Sequence, residues 1–258
     1  MLISTNELKS KLQDSDVLII DTRLWKEYSS GHIPNAVNLD LFAFHWADTS
    51  PEGMRAFNMH MAKLLSSVGV SYDRFVVFYD DISGMLAARG VWLLEYFSHE
   101  RVAMLDGGIT KWIKDGYELQ KEPIAYKPSK FEPRINESAV ATYQYVLDNL
   151  KKIKIIDART PSEYSGEAVR AVKAGHIPGA INVDWIENVT DGTFKQDHEL
   201  RKLYDKVGKD DEVILYCQGG YRAAHDYLAL KKLGFKKLRV YLGSWYEWGN
   251  MPELPVES

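Results

Sequence analysis

Cysteine is almost absent: among 258 residues, Cys217 is the single one. One cysteine forms neither an internal disulfide nor a multi-cysteine zinc site, and it suits a reducing compartment. Long apolar runs are missing as well. No stretch of about 18 hydrophobic residues occurs, so no membrane span is expected. The opening MLISTNELKSKLQDSD lacks the apolar centre of a secretory leader. Nor is charge of one sign in excess. Lys and Arg number 32 against 36 Asp and Glu, for a net charge of −4. The first 137 residues hold 15 basic and 19 acidic side chains, and the remainder hold 17 of each. Neither half has the basic excess of a nucleic-acid binder. The expectation is a globular, cytoplasmic protein with no nucleic-acid or membrane partner.

What the chain does have is a long internal repeat. Residues 31–40 read GHIPNAVNLD and residues 175–184 read GHIPGAINVD, identical at seven of ten positions. VLIIDTR at 17–23 answers IKIIDAR at 153–159, VVFYD at 76–80 answers VILYC at 213–217, and LDGGITKW at 105–112 answers YLGSWYEW at 241–248. The offsets are 136 for Asp21/Asp157, 144 for His32/His176, 137 for Asp80/Cys217 and 136 for Trp112/Trp248. Four blocks in one order at nearly constant offset mean two copies of one domain, spanning 1–120 and 138–258. Between them, 121–137 carries three prolines and four basic residues without periodicity, and reads as a linker or extended strap. The second copy has eight extra residues between Asp157 and Gly175.

Each copy alternates short apolar runs with helical patterns. In the second, KIKII, EVILY and KLRVYL read as strands, and HELRKLYDKVG and YRAAHDYLALKKLG as helices, the latter closed by Gly234. This alternation predicts an α/β fold in which each domain is a mostly parallel sheet flanked by helices.

Cys217 follows EVILY and precedes Gln218, Gly219, Gly220, Tyr221 and Arg222, which open a helix. In a parallel α/β sheet, ligands gather at the carboxyl ends of strands, and the unpaired amides of a helix start favour an anion there. Such a position favours a thiolate. Gly219 and Gly220 are free to take positive φ and to turn successive amides inward as an anion-holding nest. Arg222 adds a cation at the rim. A structural cysteine requires none of this.

CQGGYR after VILY, with DAR and GHIPGAINVD upstream and YLGSWYEW downstream, resembles a rhodanese domain, and the whole chain resembles a tandem-rhodanese sulfurtransferase. The resemblance implies two rhodanese-like domains. The first is non-catalytic, because Asp80 stands where Cys217 stands and Met85 falls opposite Arg222. It also implies that the Cys217 thiolate takes sulfane sulfur from a small-molecule donor as a persulfide, cradled by Gln218, Gly219, Gly220, Tyr221 and Arg222. The sulfur then passes to a thiophilic acceptor, to cyanide in an assay or to a thiol or sulfur-accepting protein. No metal or organic cofactor is implied. Cysteine phosphatases place five residues between Cys and Arg; here there are four, which suits one sulfur atom better than a phosphate.

The thiosulfate branch of the family is the preferred reading, because Gly219 lacks the hydroxyl that the 3-mercaptopyruvate branch carries and Arg222 suits a dianion. A 3-mercaptopyruvate sulfurtransferase and a sulfur-relay carrier with the same persulfide are the alternatives. Candidate substrate-binding residues are Arg170 and Lys173 in the insertion, Trp245 as a pocket wall, and His32 reaching over from the first copy. Glu163 stands where some relatives carry a substrate-binding cation. Asp157, Arg159 and His176 recur in the copy without cysteine as Asp21, Arg23 and His32, so a structural role is expected for them.

Overall fold

The computed structural model describes residues 1–258 throughout. The chain forms two compact units: Met1–Phe44, Ala56–Ile135 and Thr190–Phe194 make the first, and His45–Arg55, Asn136–Val189 and Lys195–Ser258 the second. Each half of the sequence therefore lends a short segment to the other half's unit.

The first unit is built on strands β1 (Leu2–Ile3), β2 (Val17–Asp21), β3 (Val37–Asn38), β4 (Phe75–Tyr79) and β5 (Val102–Leu105), in the order β1-β5-β4-β2-β3. Every pairing is parallel. Helices α1 (Thr5–Ser10), α2 (Trp25–Ser30), α3 (Pro51–Ser67, in this unit from Ala56 onward), α4 (Met85–Tyr96) and α5 (Gly108–Lys114) follow the strands. The second sheet repeats the design with β6 (Val140–Ala141), β7 (Lys154–Asp157) and β8 (Ile181–Asn182). A hairpin of β9 (Val189–Thr190) and β10 (Thr193–Phe194) intervenes before β11 (Val213–Tyr216) and β12 (Leu238–Tyr241). The order β6-β12-β11-β7-β8 is again parallel throughout. Its helices are α6 (Tyr143–Asp148), α7 (Pro161–Tyr164), α8 (Asp197–Leu203), α9 (Tyr221–Lys232) and α10 (Ser244–Trp248). All four residues of β11 are buried, as a strand covered by crossover helices on both faces requires.

The proline-rich strap at 121–135 packs within the first unit. Phe131 is buried, Ser129 N–H donates to Ser66 O at 2.8 Å, and Tyr126 donates to Asn38 O at 2.6 Å.

The two copies share one polar keystone, which explains their shared DxR and GHIP motifs. Arg159 grips Asp157 through Nε and Nη2, and its Nη2 also reaches Gly175 O at 2.8 Å. Tyr216 donates to Asp157 Oδ2 at 2.7 Å and accepts from Ile177 N–H. In the first unit Arg23, Asp21, Gly31, Tyr79 and Ile33 repeat every one of these contacts. The ion pairs are buried, and each carboxylate is held by its arginine, by a tyrosine hydroxyl and by a backbone amide.

Candidate functional site

Strand β7 leads to β8 on one side of the second sheet, and β11 leads to β12 on the other. The order reverses between β7 and β11, the place where open parallel sheets leave a crevice at their carboxyl ends. Cys217 is the first residue beyond β11 and is 1% exposed.

The loop from Cys217 to Gly220 is tied from behind by α10. Trp245 N–H donates to Cys217 O and Tyr246 N–H to Gln218 O, both at 2.9 Å. A trans peptide points its N–H away from its carbonyl. With those two carbonyls drawn to α10, the amides of Gln218 and Gly219 face away from it, and neither donates to any acceptor in the protein. Gly220 N–H points at Cys217 Sγ, 3.1 Å away. Gly220 has φ +83°, the left-handed conformation that a glycine adopts without strain, and it is the N-cap of α9. Ser244 supports the same turn: its hydroxyl accepts from Cys217 N–H at 3.2 Å and donates to Tyr241 O at 2.8 Å. Ser244 itself has φ +53° and is fully buried.

Two expectations about the loop are corrected. Gly219 does not take positive φ. Its lack of a side chain serves close approach instead, since a Cβ there would overlap the ring of His45. Arg222 is not a free cation at the rim. Its Nη1 and Nη2 lie 2.6 and 3.0 Å from Oε2 and Oε1 of Glu163, and both side chains are largely buried. Burial works against the charged guanidinium, yet Glu163 and the neighbouring Cys217 sulfur raise its pKa above the ordinary Arg value. Burial likewise works to raise the Glu163 carboxyl, but the Arg222 guanidinium, with Thr160, holds it down at about 2. Glu163 sits there because it is the third residue of α7. Thr160 caps that helix and Pro161 opens it, and Glu163 N–H and the Thr160 side chain close the capping box.

The candidate substrate residues separate. Arg170 joins the site: its carbonyl accepts from Gln218 Nε2 at 3.1 Å, its guanidinium is 58% exposed, and its Nη1 is 3.4 Å from Glu163. Lys173 does not, because its ammonium is spent on the carbonyls of Met251, Pro252 and Leu254, where it clasps the chain's last turn. Trp245 is not a pocket wall either. Its ring is 1% exposed and lies against Arg159, with the guanidinium 4.5 Å from the ring centre. His32 does not reach out of the first unit. It is fully buried, stacks on Tyr28 at 3.9 Å and contacts Tyr28 O through Nδ1 at 2.9 Å. His176 stacks on Tyr164 and contacts Tyr164 O in the same way.

The first copy shows what the same loop does without cysteine. Asp80 accepts from the amides of Gly84, Leu86 and Ala87 at 3.0 to 3.1 Å, so a carboxylate of the chain itself occupies the amide nest. Burial pushes the Asp80 carboxyl up to about 7 against the pull of those amides. The loop is also one residue longer. Gly84 caps α4 as Gly220 caps α9, so Leu86, not Met85, falls opposite Arg222.

His45, Ser244 and Glu163 are the residues that sequence reasoning did not assign to the site. His45 and Glu163 come from segments remote from the cysteine motif, and the one available signal was Glu163 itself, which the family resemblance sets where a substrate-binding cation would be expected in some members.

Comparison with known proteins agrees with this geometry. The rhodanese-like domain model matches residues 4–115 and again 142–251. The chain belongs to the rhodanese family, with two such domains in tandem. It is 34% identical to the sulfur carrier protein TtuD of Thermus thermophilus, over 99% of this chain and 96% of that one. It is 32% identical to a thiosulfate sulfurtransferase of Pseudomonas aeruginosa, over 100% and 97%. Among solved structures it resembles SseA of Escherichia coli, a 3-mercaptopyruvate sulfurtransferase, with TM-score 0.81 and 30% identity over 95% of this chain and 98% of that one.

Proposed function

We propose that the protein is a sulfurtransferase that carries sulfane sulfur as a persulfide on Cys217, with thiosulfate as the preferred donor. The observation that carries this reading is the Gly220 N–H aimed at Cys217 Sγ at 3.1 Å, in a loop whose Gln218 and Gly219 amides have no acceptor of their own. A persulfide's terminal sulfur is anionic, large and polarisable, and main-chain N–H groups stabilise it without a general base.

The Cys217 thiolate attacks the outer sulfur of thiosulfate. A new S–S bond forms, the donor's S–S bond breaks, and sulfite leaves with the electron pair. In the second half-reaction a thiophilic acceptor attacks the terminal sulfur. Cyanide leaves as thiocyanate, and the Cys217 thiolate is restored. Dividing the transfer in this way gives ping-pong kinetics. Arg170 is the exposed cation placed to meet the anionic donor. The absence of a hydroxyl at Gly219 and the thiosulfate sulfurtransferases among the relatives favour thiosulfate over 3-mercaptopyruvate. In the cell, in the cytoplasm by this reading, the acceptor is a thiol or a sulfur-accepting protein.

The name of the Thermus relative favours one further reading, in which the protein is chiefly a sulfur carrier to another protein. Stopped-flow loading and steady-state turnover separate the two. An enzyme turns over small acceptors at a rate comparable with its loading; a carrier loads quickly and passes sulfur to cyanide slowly.

A further inference from the structure

The second unit includes a short segment from the first half of the sequence, and that segment puts His45 on the cysteine loop. The His45 ring lies over Gly219 in the space a side chain at 219 would occupy. It stacks on Tyr221, with ring centres 6.0 Å apart and planes 10° from parallel, and meets Tyr246 edge-on at 5.3 Å. Tyr221 is buried and Tyr246 half-exposed, so the imidazole spans the border between loop and solvent and is itself exposed.

This placement is built. Thr49, four residues on, donates through its N–H and hydroxyl to Oε1 and Oε2 of Glu247, at 2.6 and 2.7 Å. Tyr241 donates to the same carboxylate at 2.8 Å, and Tyr143 N–H donates to the Thr49 hydroxyl. Glu247 follows Tyr246 on α10, the helix that also ties back the carbonyls of Cys217 and Gln218. One short helix therefore fixes both the sulfur loop and the segment that covers it.

The charge balance gives His45 its task. Arg222 is matched by Glu163, so the loop itself offers the oxyanion end of a donor little uncompensated charge. An exposed imidazole over Gly219 supplies an N–H, and a positive charge when protonated. We infer that His45 is a specificity-determining residue for the sulfur donor, meeting the donor's oxyanion end at the mouth of the Cys217 loop and favouring the thiosulfate dianion over the carboxylate monoanion of 3-mercaptopyruvate. The inference rests on the sulfurtransferase reading above. It also accounts for glycine at 219 by the room His45 needs, not by backbone conformation.

The test is single-turnover loading of the full chain with thiosulfate and with 3-mercaptopyruvate, read by mass spectrometry of the quenched protein. The variants are His45→Ala, His45→Gln, Gly219→Ala and the double variant with alanine at 45 and 219. Loss of one charge-assisted contact should lower the thiosulfate loading constant of His45→Ala about tenfold, and that for 3-mercaptopyruvate by less than about threefold. His45→Gln, which keeps an N–H donor but not the charge, should recover only part of the loss. Gly219→Ala should impair loading in the native background and add nothing once position 45 is alanine, because the two groups compete for one space. Loading of His45→Ala at the native rate, or an equal fall with both donors, would overturn the inference. Failure of the unaltered protein to load with either donor would instead overturn the sulfurtransferase reading.

Discussion

Glu163 holds Arg222 with both carboxylate oxygens, at 2.6 and 3.0 Å. The arginine beside the cysteine loop is thereby turned from a free cation into half of a buried pair. The pair braces the first turn of α9 against α7 and leaves recognition of an anionic donor to groups nearer solvent.

Replacing Glu163 by Gln should separate those two effects. An unmatched buried guanidinium costs about 3 kcal/mol or more. The melting temperature should fall clearly, while the apparent KM for thiosulfate should fall too, because the charge of Arg222 becomes available. The linkage sign follows from the lowered Glu163 pKa. Its stabilisation is present above the ordinary value of 4.5 and is lost as pH falls towards about 2. Calorimetry between pH 5 and pH 3 should therefore show native protein losing stability faster than Glu163→Gln.

Asp80 predicts the opposite slope. Its folded pKa of about 7 lies above the ordinary 3.8, so the folded state holds a proton that the unfolded state gives up between those values. Native stability should fall as pH rises from 5 to 8. Asp80→Asn removes the ionisation, so its melting temperature relative to native should climb over that range, whatever constant cost comes from an amide nitrogen facing two N–H donors. Persulfide loading should not change, since Asp80 belongs to the copy without cysteine.

The tyrosine keystones should behave alike. Tyr79→Phe and Tyr216→Phe each leave a buried carboxylate oxygen and a buried amide short of a partner, at a cost of about 1–3 kcal/mol. Denaturant unfolding should show losses of similar size at the two positions. A loss at one alone would break the equivalence of the copies.

Lys173→Met should loosen the chain's last turn by freeing three carbonyls, detectable as faster hydrogen exchange from Met251 to Leu254. The thiosulfate KM should stay near native. Arg170→Ala, by contrast, should raise it several-fold with little loss of stability.

The fold was legible in the sequence because its parts are local and repeated. Apolar strand runs, DxR, GHIP and the Trp-bearing last helix occur twice in one order, and one parallel sheet satisfies each set. The placement of Cys217 between a strand end and a helix start was legible for the same reason: strand end, glycine pair and helix start are contiguous. What could not be read depends on residues far apart in sequence. Glu163 and Arg222 are separated by 59 positions, and Thr49 and Glu247 by 198. Nothing local in HWADTS announces that His45 lies on Gly219. Lys173 looked like a donor-binding cation because sequence gives a lysine's charge but not the carbonyls that absorb it. Trp245 looked like a lining residue because its counterpart is Ile109, whereas the enclosed Arg159 guanidinium gives the larger ring its reason.

On the proposed function, thiosulfate leaves a sulfur atom on Cys217, held by main-chain amides. Intact-protein mass spectrometry after brief exposure to thiosulfate tests it most directly. A gain of one sulfur mass is expected, removed by cyanide and absent in Cys217→Ser. Native protein that gains no mass with thiosulfate or 3-mercaptopyruvate, or a Cys217→Ser variant that gains it equally, would contradict it.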